Sequence, residues 1–530
     1  MKHIYLFLIL LYTSPAVLGQ EKHLILFKDK DTSADPSTFL SSKSLERRTK
    51  QGISITDHDH PVTTAYLDSL ASTGATVVYP TKWLNGALVE GTSEQIQAIK
   101  AFTFLRESTN FNDLYGGTKI NEVKEVNTFN YGPSAVQLEM LGVDEMHELG
   151  YTGKGITIAV FDSGFPGVNT TDPFDSLRTK NGIKGTFDFV VGDENVYNDH
   201  HHGTNVLSTI AAYKDGELIG AAFDADFYLF KTEDVFSETP VEEFNWLVAA
   251  ERADSIGVDI ITSSLGYYDF DIPSYNYSHS DLNGDKSIIS QAADFAAATG
   301  ILVVTSAGNS GADAWGKIAM PADGDSVLSV GAVNANGIIA NFSSRGPTAD
   351  GRVKPDIMAM GVGTVISSSS GNIQTSNGTS FSCPLITGFA ACVWQQFPGL
   401  TNMELIELLR NSGDISATPN SDYGYGIPNY QRLSGLTPLD PNHNGSFTKG
   451  IKVYPNPFTN GTLKLHFDQE LLGKSCQLYV YTATGKLIHE ERLEVTQLTH
   501  PISMTTEKKQ LYLIKIAYEE QQEVIRVLSE

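Results

Sequence analysis

The stretch GITIAVFDSG at residues 155–164 is an apolar, β-branched run that ends in a small acidic turn. Further apolar runs follow it, and stretches with helical periodicity stand between them. The apolar runs lie at 156–161, 227–230, 258–261, 301–305 and 327–333, and the helical stretches at 204–213, 241–255 and 287–299. Continuous apolar strands separated by helices are typical of a parallel sheet that helices cover on both faces. We therefore predict one large α/β domain, which we assign to residues 135–433.

The residues before this domain divide into three segments. Residues 1–19 have a short basic start and an apolar run shorter than the roughly 20 residues that a membrane span requires, which predicts a secretory signal peptide. Residues 20–115 alternate strand and helix patterns and predict a small α+β unit. The polar residues 116–134 are interpreted as a connector.

The residues after the α/β domain predict a linker and a second all-β domain. Residues 434–450 are rich in Pro, Asn, Gly and Asp, which is typical of a linker. Residues 451–530 contain short alternating segments with turn signals between them, and these predict a β-sandwich.

Charge and cysteine content exclude some classes of function. The formal net charge of −25 argues against a nucleic-acid partner, because neutralising phosphates requires an excess of Lys and Arg. The three cysteines, at positions 383, 392 and 476, cannot form a disulfide framework. We expect them to be structural, unpaired thiols.

Three short motifs carry the chemistry. Asp162-Ser-Gly follows the first buried strand, His202-Gly-Thr opens a helical pattern, and Gly378-Thr-Ser-Phe-Ser-Cys-Pro384 opens another. In a parallel α/β sheet, the carboxyl ends of the strands and the facing helix N-termini form the ligand crevice. The three motifs can therefore reach one cleft.

The residue types in these motifs suit nucleophilic catalysis. Serine is a weak nucleophile at neutral pH and needs a hydrogen-bonded base, which a neutral imidazole supplies. The imidazole in turn needs an acceptor that fixes its tautomer and stabilises its charged form. Ser380, His202 and Asp162 can fill these roles. Asn309, at a predicted strand end, is the candidate side-chain donor to a developing oxyanion, alongside backbone N–H groups at the start of the Ser380 helix.

These motifs and their order, Asp, His, Asn, Ser, resemble the subtilase family over about residues 135–433. The resemblance implies a subtilisin-like fold and a serine endopeptidase that acts through an Asp/His/Ser triad and an acyl-enzyme. It also assigns substrate contacts to Ser264, Leu265 and Gly266 on one pocket wall and to Ala307 and Gly308 on the other. Because these walls carry no charge, we expect large apolar residues just before the scissile bond.

The resemblance extends to both flanking regions. Residues 20–115 look like a propeptide that assists folding and blocks the cleft until it is cleaved, so the protein's own propeptide is an expected intramolecular inhibitor. Residues 451–530, with Val453-Tyr-Pro-Asn-Pro457 and Tyr512-Leu-Ile-Lys-Ile516, resemble the C-terminal sorting domain of the type IX secretion system. The expected partners are protein or peptide substrates and that machinery. The expected location is secreted or cell-surface, after export through the inner membrane.

Two stretches of the sequence suggest metal binding, but each has a simpler interpretation. His200 and His201 adjoin His202, but three adjacent residues cannot all face one ion from a helix start, so we predict solvated loop residues and no metal ligands. Residues 281–285, DLNGD, are similar to the start of a calcium loop, yet Ala292 stands where the bidentate Glu would be. We predict a turn there and no cofactor, with structural calcium as the alternative.

Two other functions remain as alternatives. A serine esterase would use the same triad logic, but its Gly-x-Ser-x-Gly elbow and Ser, Asp, His order are not present in this sequence. A catalytically silent binding protein on the same fold would be expected to lack a triad residue, and all three are present. A related peptidase family has Glu in place of His, which His202 argues against.

Overall fold

The protein is described by a computed structural model that covers residues 20–111, 129–436, 446–448, 451–454, 462–467, 473–482, 487–495, 499–503, 511–518 and 521–528. The predicted signal peptide at 1–19 lies outside the described residues, as do most of the predicted connector and most of the linker. No helix in these ranges combines the length and the apolar character needed to cross a membrane.

The N-terminal unit is an antiparallel sheet with two helices packed on it. Its strands run in the order β2-β3-β1-β4. These strands are β1 (Glu21–Phe27), β2 (Thr76–Thr81), β3 (Gly86–Gly91) and β4 (Leu105–Phe111), and the two helices are α2 (Thr64–Ser72) and α3 (Ser93–Lys100). Apolar residues of both helices and of β1 and β3 form one buried cluster. The predicted α+β unit is confirmed.

A further helix, α1 (Ser42–Gln51), lies in this part of the sequence and was not predicted. Residues 40–54, which include α1, form a compact unit with the large α/β domain and not with the N-terminal sheet. The helix buries Ser44, Arg47 and Arg48, and no apolar residue of α1 is fully buried. Hydrophobic periodicity therefore gave no signal for it.

Seven described strands of the α/β domain form one sheet in the order β13-β12-β11-β10-β5-β9-β6, with every neighbouring pair parallel. The strands of this domain are β5 (Thr157–Asp162), β6 (Ile183–Asp188), β7 (Tyr213–Lys214), β8 (Leu218–Ile219), β9 (Asp226–Lys231), β10 (Ile260–Ser263), β11 (Leu302–Ser306), β12 (Leu328–Val333), β13 (Ile357–Met360), β14 (Thr364–Ser367) and β15 (Ile373–Ser376). The helices are α4 (Ala135–Glu139), α5 (Val143–Glu148), α6 (Asp175–Thr179), α7 (His202–Ala211), α8 (Pro240–Ile256), α9 (Ile288–Ala298), α10 (Thr379–Gln396), α11 (Asn402–Asn411) and α12 (Tyr430–Leu436).

Helices cover both faces of the large sheet. Successive side chains of a strand point to opposite faces. On β5, Ile158 and Val160 belong to the core cluster that includes residues of α7 and α10. Phe161 instead packs edge-on against Trp246 of α8, with ring centroids 5.2 Å apart. Since α7 packs on α10 and α8 on α9, one helix pair lies on each face, and the predicted covered parallel sheet is confirmed.

The strand order places a crevice at the end of β5. From β5 the chain runs to β6 and β9 on one side and then returns to β10 on the other. Loops that leave in opposite directions open a crevice at the carboxyl ends of the strands. β5 ends at Asp162, which places this carboxylate at the crevice.

The C-terminal domain consists of two four-stranded antiparallel sheets with a shared core. Their orders are β16-β17-β18-β21 and β20-β19-β22-β23. The strands are β16 (Ser446–Thr448), β17 (Ile451–Tyr454), β18 (Thr462–Phe467), β19 (Ser475–Thr482), β20 (Leu487–Glu494), β21 (Thr499–Ser503), β22 (Leu511–Tyr518) and β23 (Gln521–Leu528). Leu463 and Ile502 of the first sheet join Leu478 and Ile514 of the second in one buried cluster, as a β-sandwich requires.

The three cysteines are buried free thiols, as predicted. Burial raises the pKa of Cys383 to about 12 and also raises the pKa of Cys392. A buried thiol whose pKa is raised in this way is a poor nucleophile, which agrees with the predicted structural role.

Candidate active site

Asp162 and His202 form the central contact of the site. Asp162 is the last residue of β5 and fully buried, and His202 is the first residue of α7. His202 Nδ1 lies 2.8 Å from Oδ1 and 3.0 Å from Oδ2 of Asp162. Gly203 permits this approach, because a Cβ there would lie 2.4 Å from the Gly164 carbonyl oxygen and 2.9 Å from the Asp162 Cβ.

Asp162 controls the protonation of His202. Burial disfavours the imidazolium, but the charge of Asp162 and its hydrogen bond outweigh burial, so the pKa of His202 is raised above its ordinary value. Asp162 Oδ1 also accepts hydrogen bonds from the N–H and the hydroxyl of Ser163, at 2.8 and 3.1 Å. These bonds hold the carboxylate in one orientation toward the imidazole.

Ser380 is the second residue of α10 and is 8% exposed. The Ser264 hydroxyl donates to the Ser380 carbonyl oxygen at 2.9 Å, which ties the start of α10 to the residue after β10. The imidazole of His202 lies 6.1 Å from the ring of Phe381, so His202 stands beside the start of α10. Among the described residues, the hydrogen bonds of His202 go to Asp162 and not to Ser380.

Asn309 is fixed by the residue before Ser380. Its Oδ1 accepts hydrogen bonds from the backbone N–H and the hydroxyl of Thr379, at 2.9 and 3.0 Å. Because the carbonyl side of the amide is engaged in this way, Nδ2 is the end available to a ligand, and Asn309 is exposed. The sequence analysis identified Asn309 but not Thr379, although Thr379 lies in the Gly-Thr-Ser motif.

The two predicted pocket walls both lie close to Ala319, a residue that the sequence analysis did not identify. A Cβ built on Gly266 would lie 2.8 Å from the Cβ of Ala319, and one built on Gly308 would lie 3.4 Å from the same atom. The Ala319 N–H donates to the Ala307 carbonyl oxygen at 3.0 Å. Ala319 thus stands between the two walls and presents a methyl group there.

An open cavity of about 530 Å³ lies beside His202 and was also not predicted. Leu265 lines it, and so do several carboxylates. These carboxylates belong to Glu233, Asp234, Glu238 and Asp271. Burial, and then the nearby charges of Asp271 and Asp269, raise the pKa of Glu238 to about 7.

The remaining candidates are His200, His201 and Asp281, and of these His200 lines the same cavity, with its Nδ1 3.4 Å from the Ser163 hydroxyl oxygen. His200 and His201 are exposed, with ring centroids 4.5 Å apart. Asp281 accepts hydrogen bonds from the N–H and the hydroxyl of Ser278, at 2.8 and 2.6 Å, as a turn requires. Within the described ranges no group of three or more His, Cys, Asp or Glu residues could hold a metal ion. The expectation of no cofactor, with structural calcium as the alternative, stays a prediction.

Comparison with family models divides the chain into three matched regions. Residues 153–426 match the subtilase family. Residues 22–127 match the peptidase S8 propeptide domain of Bacteroidota. Residues 452–530 match the secretion system C-terminal sorting domain.

Two individual relatives, both Bacillus subtilis proteins, agree with the central match. Subtilisin E of Bacillus subtilis (strain 168) is 30% identical over 305 residues, which are 57% of this chain and 70% of the relative. Serine protease AprX of the same organism is 33% identical over 310 residues, which are 52% of this chain and 66% of AprX. The crystal structure of MycP1 from Mycobacterium smegmatis has a TM-score of 0.47 at 21% identity and covers 61% of this chain and 89% of its own.

Proposed function

The chain belongs to the subtilase family and is a serine endopeptidase, and we propose that Asp162, His202 and Ser380 are its catalytic triad. It carries a propeptide and is therefore made as a zymogen. Its C-terminal sorting domain marks it for export, to the medium or to the cell surface. The observation that supports the triad most directly is the Asp162–His202 contact beside the start of α10.

The proposed mechanism has two steps. In the first, Ser380 Oγ bonds to the scissile carbonyl carbon while His202 Nε2 takes the hydroxyl proton; His202 then returns that proton to the leaving amine as the C–N bond breaks. In the second, water bonds to the acyl carbon while His202 takes a proton from it, and His202 then returns that proton to Ser380 Oγ as the ester C–O bond breaks and the carboxylic acid leaves. Asp162 keeps its charge throughout and stabilises the imidazolium.

Asn309 and the start of α10 supply the proposed oxyanion site. The first N–H groups of a helix have no partner within the helix. Thr379 engages Asn309 Oδ1 and leaves Nδ2 available to a ligand, as described above. Both donors are in position before the reaction, and such donors stabilise charge that is present mainly in the transition state.

The same site would process the protein's own propeptide. We propose that cleavage occurs in the connector and that the propeptide inhibits the enzyme until it is released. The C-terminal domain would be read by the type IX secretion machinery, and protein or peptide substrates would enter the cleft after export.

The decisive test is Ser380→Ala, assayed on a diverse peptide mixture, with wild-type enzyme treated with a serine-directed phosphonate alongside. In subtilisin, a relative of this chain, loss of the nucleophile lowers kcat about 2 × 10⁶-fold, and we adopt that magnitude. Ser416→Ala, which removes a hydroxyl between α11 and α12, is the matched control and should behave as wild type. Near-wild-type turnover by Ser380→Ala would refute the triad.

A further inference from the structure

The helix α1 is attached to the α/β domain by charge. Arg47 Nη2 lies 2.5 Å from Asp254 Oδ1, and Arg48 Nη1 lies 2.7 Å from the same oxygen. Arg48 Nη2 lies 3.1 Å from Asp254 Oδ2. The side chains of Arg47, Arg48 and Asp254 are 4%, 2% and 0% exposed, so the interaction is almost completely withdrawn from water.

The surface that receives α1 is made of carbonyl groups as well as carboxylates. Arg47 donates from Nε to the Thr299 carbonyl oxygen at 3.0 Å and from Nη1 to that of Val258 at 2.8 Å. Gln51 donates to the Gly300 carbonyl oxygen at 2.8 Å. These carbonyls follow the C-terminal ends of α8 and α9, where the helix dipole favours cations.

A third basic residue, Lys43, shows which end of the sheet α1 contacts. Lys43 Nζ lies 2.5 Å from Asp259 Oδ2 and 2.7 Å from Thr157 Oγ1. Thr157 is the first residue of β5, whereas Asp162 is the last. At a rise of about 3.3 Å per residue these two ends are about 16 Å apart. The helix therefore binds at the amino-terminal end of the strands, which is opposite to the proposed catalytic residues.

This position matters because α1 lies inside the propeptide match and upstream of the connector. A cut in the connector separates α1 covalently from the domain that holds it. We propose that α1 is a distal anchor of the propeptide: a dibasic helix received by Asp254, Asp259 and the carbonyls beyond α8 and α9. The anchor itself does not cover the catalytic residues, but it keeps the cleaved, inhibitory propeptide bound, so activation needs a detachment step at the amino-terminal end of the strands. This inference rests on the proposed function, because it assumes cleavage in the connector.

The test measures retention of the propeptide in a full-length chain that cannot cut itself. A Ser380→Ala chain with an external protease site inserted in the connector is cut, and the dissociation rate of the propeptide is followed by size-exclusion chromatography. Arg47→Gln with Arg48→Gln should raise that rate on the order of 10²–10³-fold, since breaking a buried pair leaves a buried charge without its partner. Lys50→Gln, which removes an exposed charge from the same helix, is the control and should change the rate less than about 3-fold.

A thermodynamic cycle distinguishes loss of the specific Arg–Asp interaction from a general loss of folding. Asp254→Asn alone should loosen the propeptide, and combining it with the two Arg substitutions should cost less than the sum of the separate effects. Hydrogen exchange on the uncut chains checks folding: the double Arg variant should lose protection in α1 while β5 and α8 keep theirs. Dissociation at the wild-type rate, or effects that simply add, would overturn the anchor. Since the chain is inactive and cut externally, this outcome is independent of whether Ser380 is the nucleophile.

Discussion

The two ends of the large sheet each hold a fully buried aspartate with cationic or titratable partners. At the carboxyl end, Asp162 pairs with His202, whose side chain is 25% exposed at the cleft. At the opposite end, Asp254 pairs with Arg47 and Arg48, which are almost completely buried. The first partner changes its charge within the physiological pH range, whereas an arginine does not.

This difference shows which property of a buried carboxylate points to catalysis. Burial alone does not, since both aspartates have no exposed surface. What distinguishes Asp162 is a partner that can take up a proton and is open to a ligand. Asp254 has the features of an attachment site: partners of fixed charge, and a partner segment that lies in the propeptide match.

The sharpest test of this contrast is Asp162→Asn. In the related triad enzymes, loss of this carboxylate lowers kcat on the order of 10⁴-fold, and we adopt that magnitude. In the proposed mechanism the base is the neutral imidazole of His202, so activity should rise as His202 deprotonates. Because Asp162 raises the pKa of His202, the acid limb of kcat/KM should lie above the ordinary histidine value of about 6.5 in the wild type and move to lower pH in Asp162→Asn.

Asp254→Asn is the matched comparison for the pH profile. Its acid limb should stay at the wild-type pH, because Asp254 has no contact with the imidazole. A shift of that limb equal to the one in Asp162→Asn would mean that the two ends of the sheet are not separate sites.

The next largest effect is expected from replacing Asn309, the proposed side-chain donor to the oxyanion. Asn309→Ala should lower kcat roughly 10²–10³-fold with little change in KM, a magnitude known from subtilisin. Thr379→Ala removes one of the two bonds that orient the amide, and should lower kcat only about 2- to 10-fold. Thr379→Ser keeps the hydroxyl and should restore most of that loss. A rise in KM at constant kcat for Asn309→Ala would make it a binding residue only.

A smaller effect is expected in the choice of substrate. Gly266, Gly308 and Ala319 offer no charge to a side chain that enters between them, and burying a Phe or Leu side chain there gains roughly 1.5–3 kcal/mol. Peptides varied only before the scissile bond should therefore be cleaved about 10- to 100-fold faster after Phe or Leu than after Lys. Dominant cleavage after Lys or Arg would show that one of the cleft carboxylates reaches this pocket.

The smallest effect on catalysis is expected from removing the C-terminal domain. A chain that ends after residue 436 loses both sheets of the C-terminal domain but keeps every contact of the candidate site. Its kcat and KM should stay within about 2-fold of wild type, because the β-domain has its own core. In a host with the type IX machinery the truncated chain should fail to reach the medium. Its normal appearance there would contradict the role of the sorting domain.

Sequence reasoning succeeded where a residue's neighbours along the chain determine its environment. The buried strands β5, β9, β10, β11 and β12 are continuous apolar runs, which is why the sheet could be predicted from its pattern. Asp162, His202 and Ser380 lie at the ends of strands or the starts of helices, and a parallel sheet brings such ends together. The close pairing of Asp162 with His202 follows from this geometry.

Sequence reasoning failed where segments that are far apart in the sequence make polar contacts. The helix α1 has Ser41 at its N-cap and Gly52 in a left-handed conformation at its C-cap, so its ends were visible in the sequence. Its buried face, however, is Ser44, Arg47 and Arg48, which a hydrophobic pattern assigns to solvent. Ala319 and Glu238 reach the cleft from loops, and no local pattern distinguishes them from ordinary loop residues.

The helix α10 has a consequence for how long the enzyme survives among its own copies. Every residue from Thr379 to Trp394 is buried, and the helix packs against β10, β11, β12 and β13. A segment embedded in this way does not open by local fluctuation, so exposing it requires unfolding of most of the domain. Autodigestion that begins within α10, the helix of the proposed nucleophile, must therefore wait for global unfolding, and the rate of this route of inactivation is set by the unfolding rate.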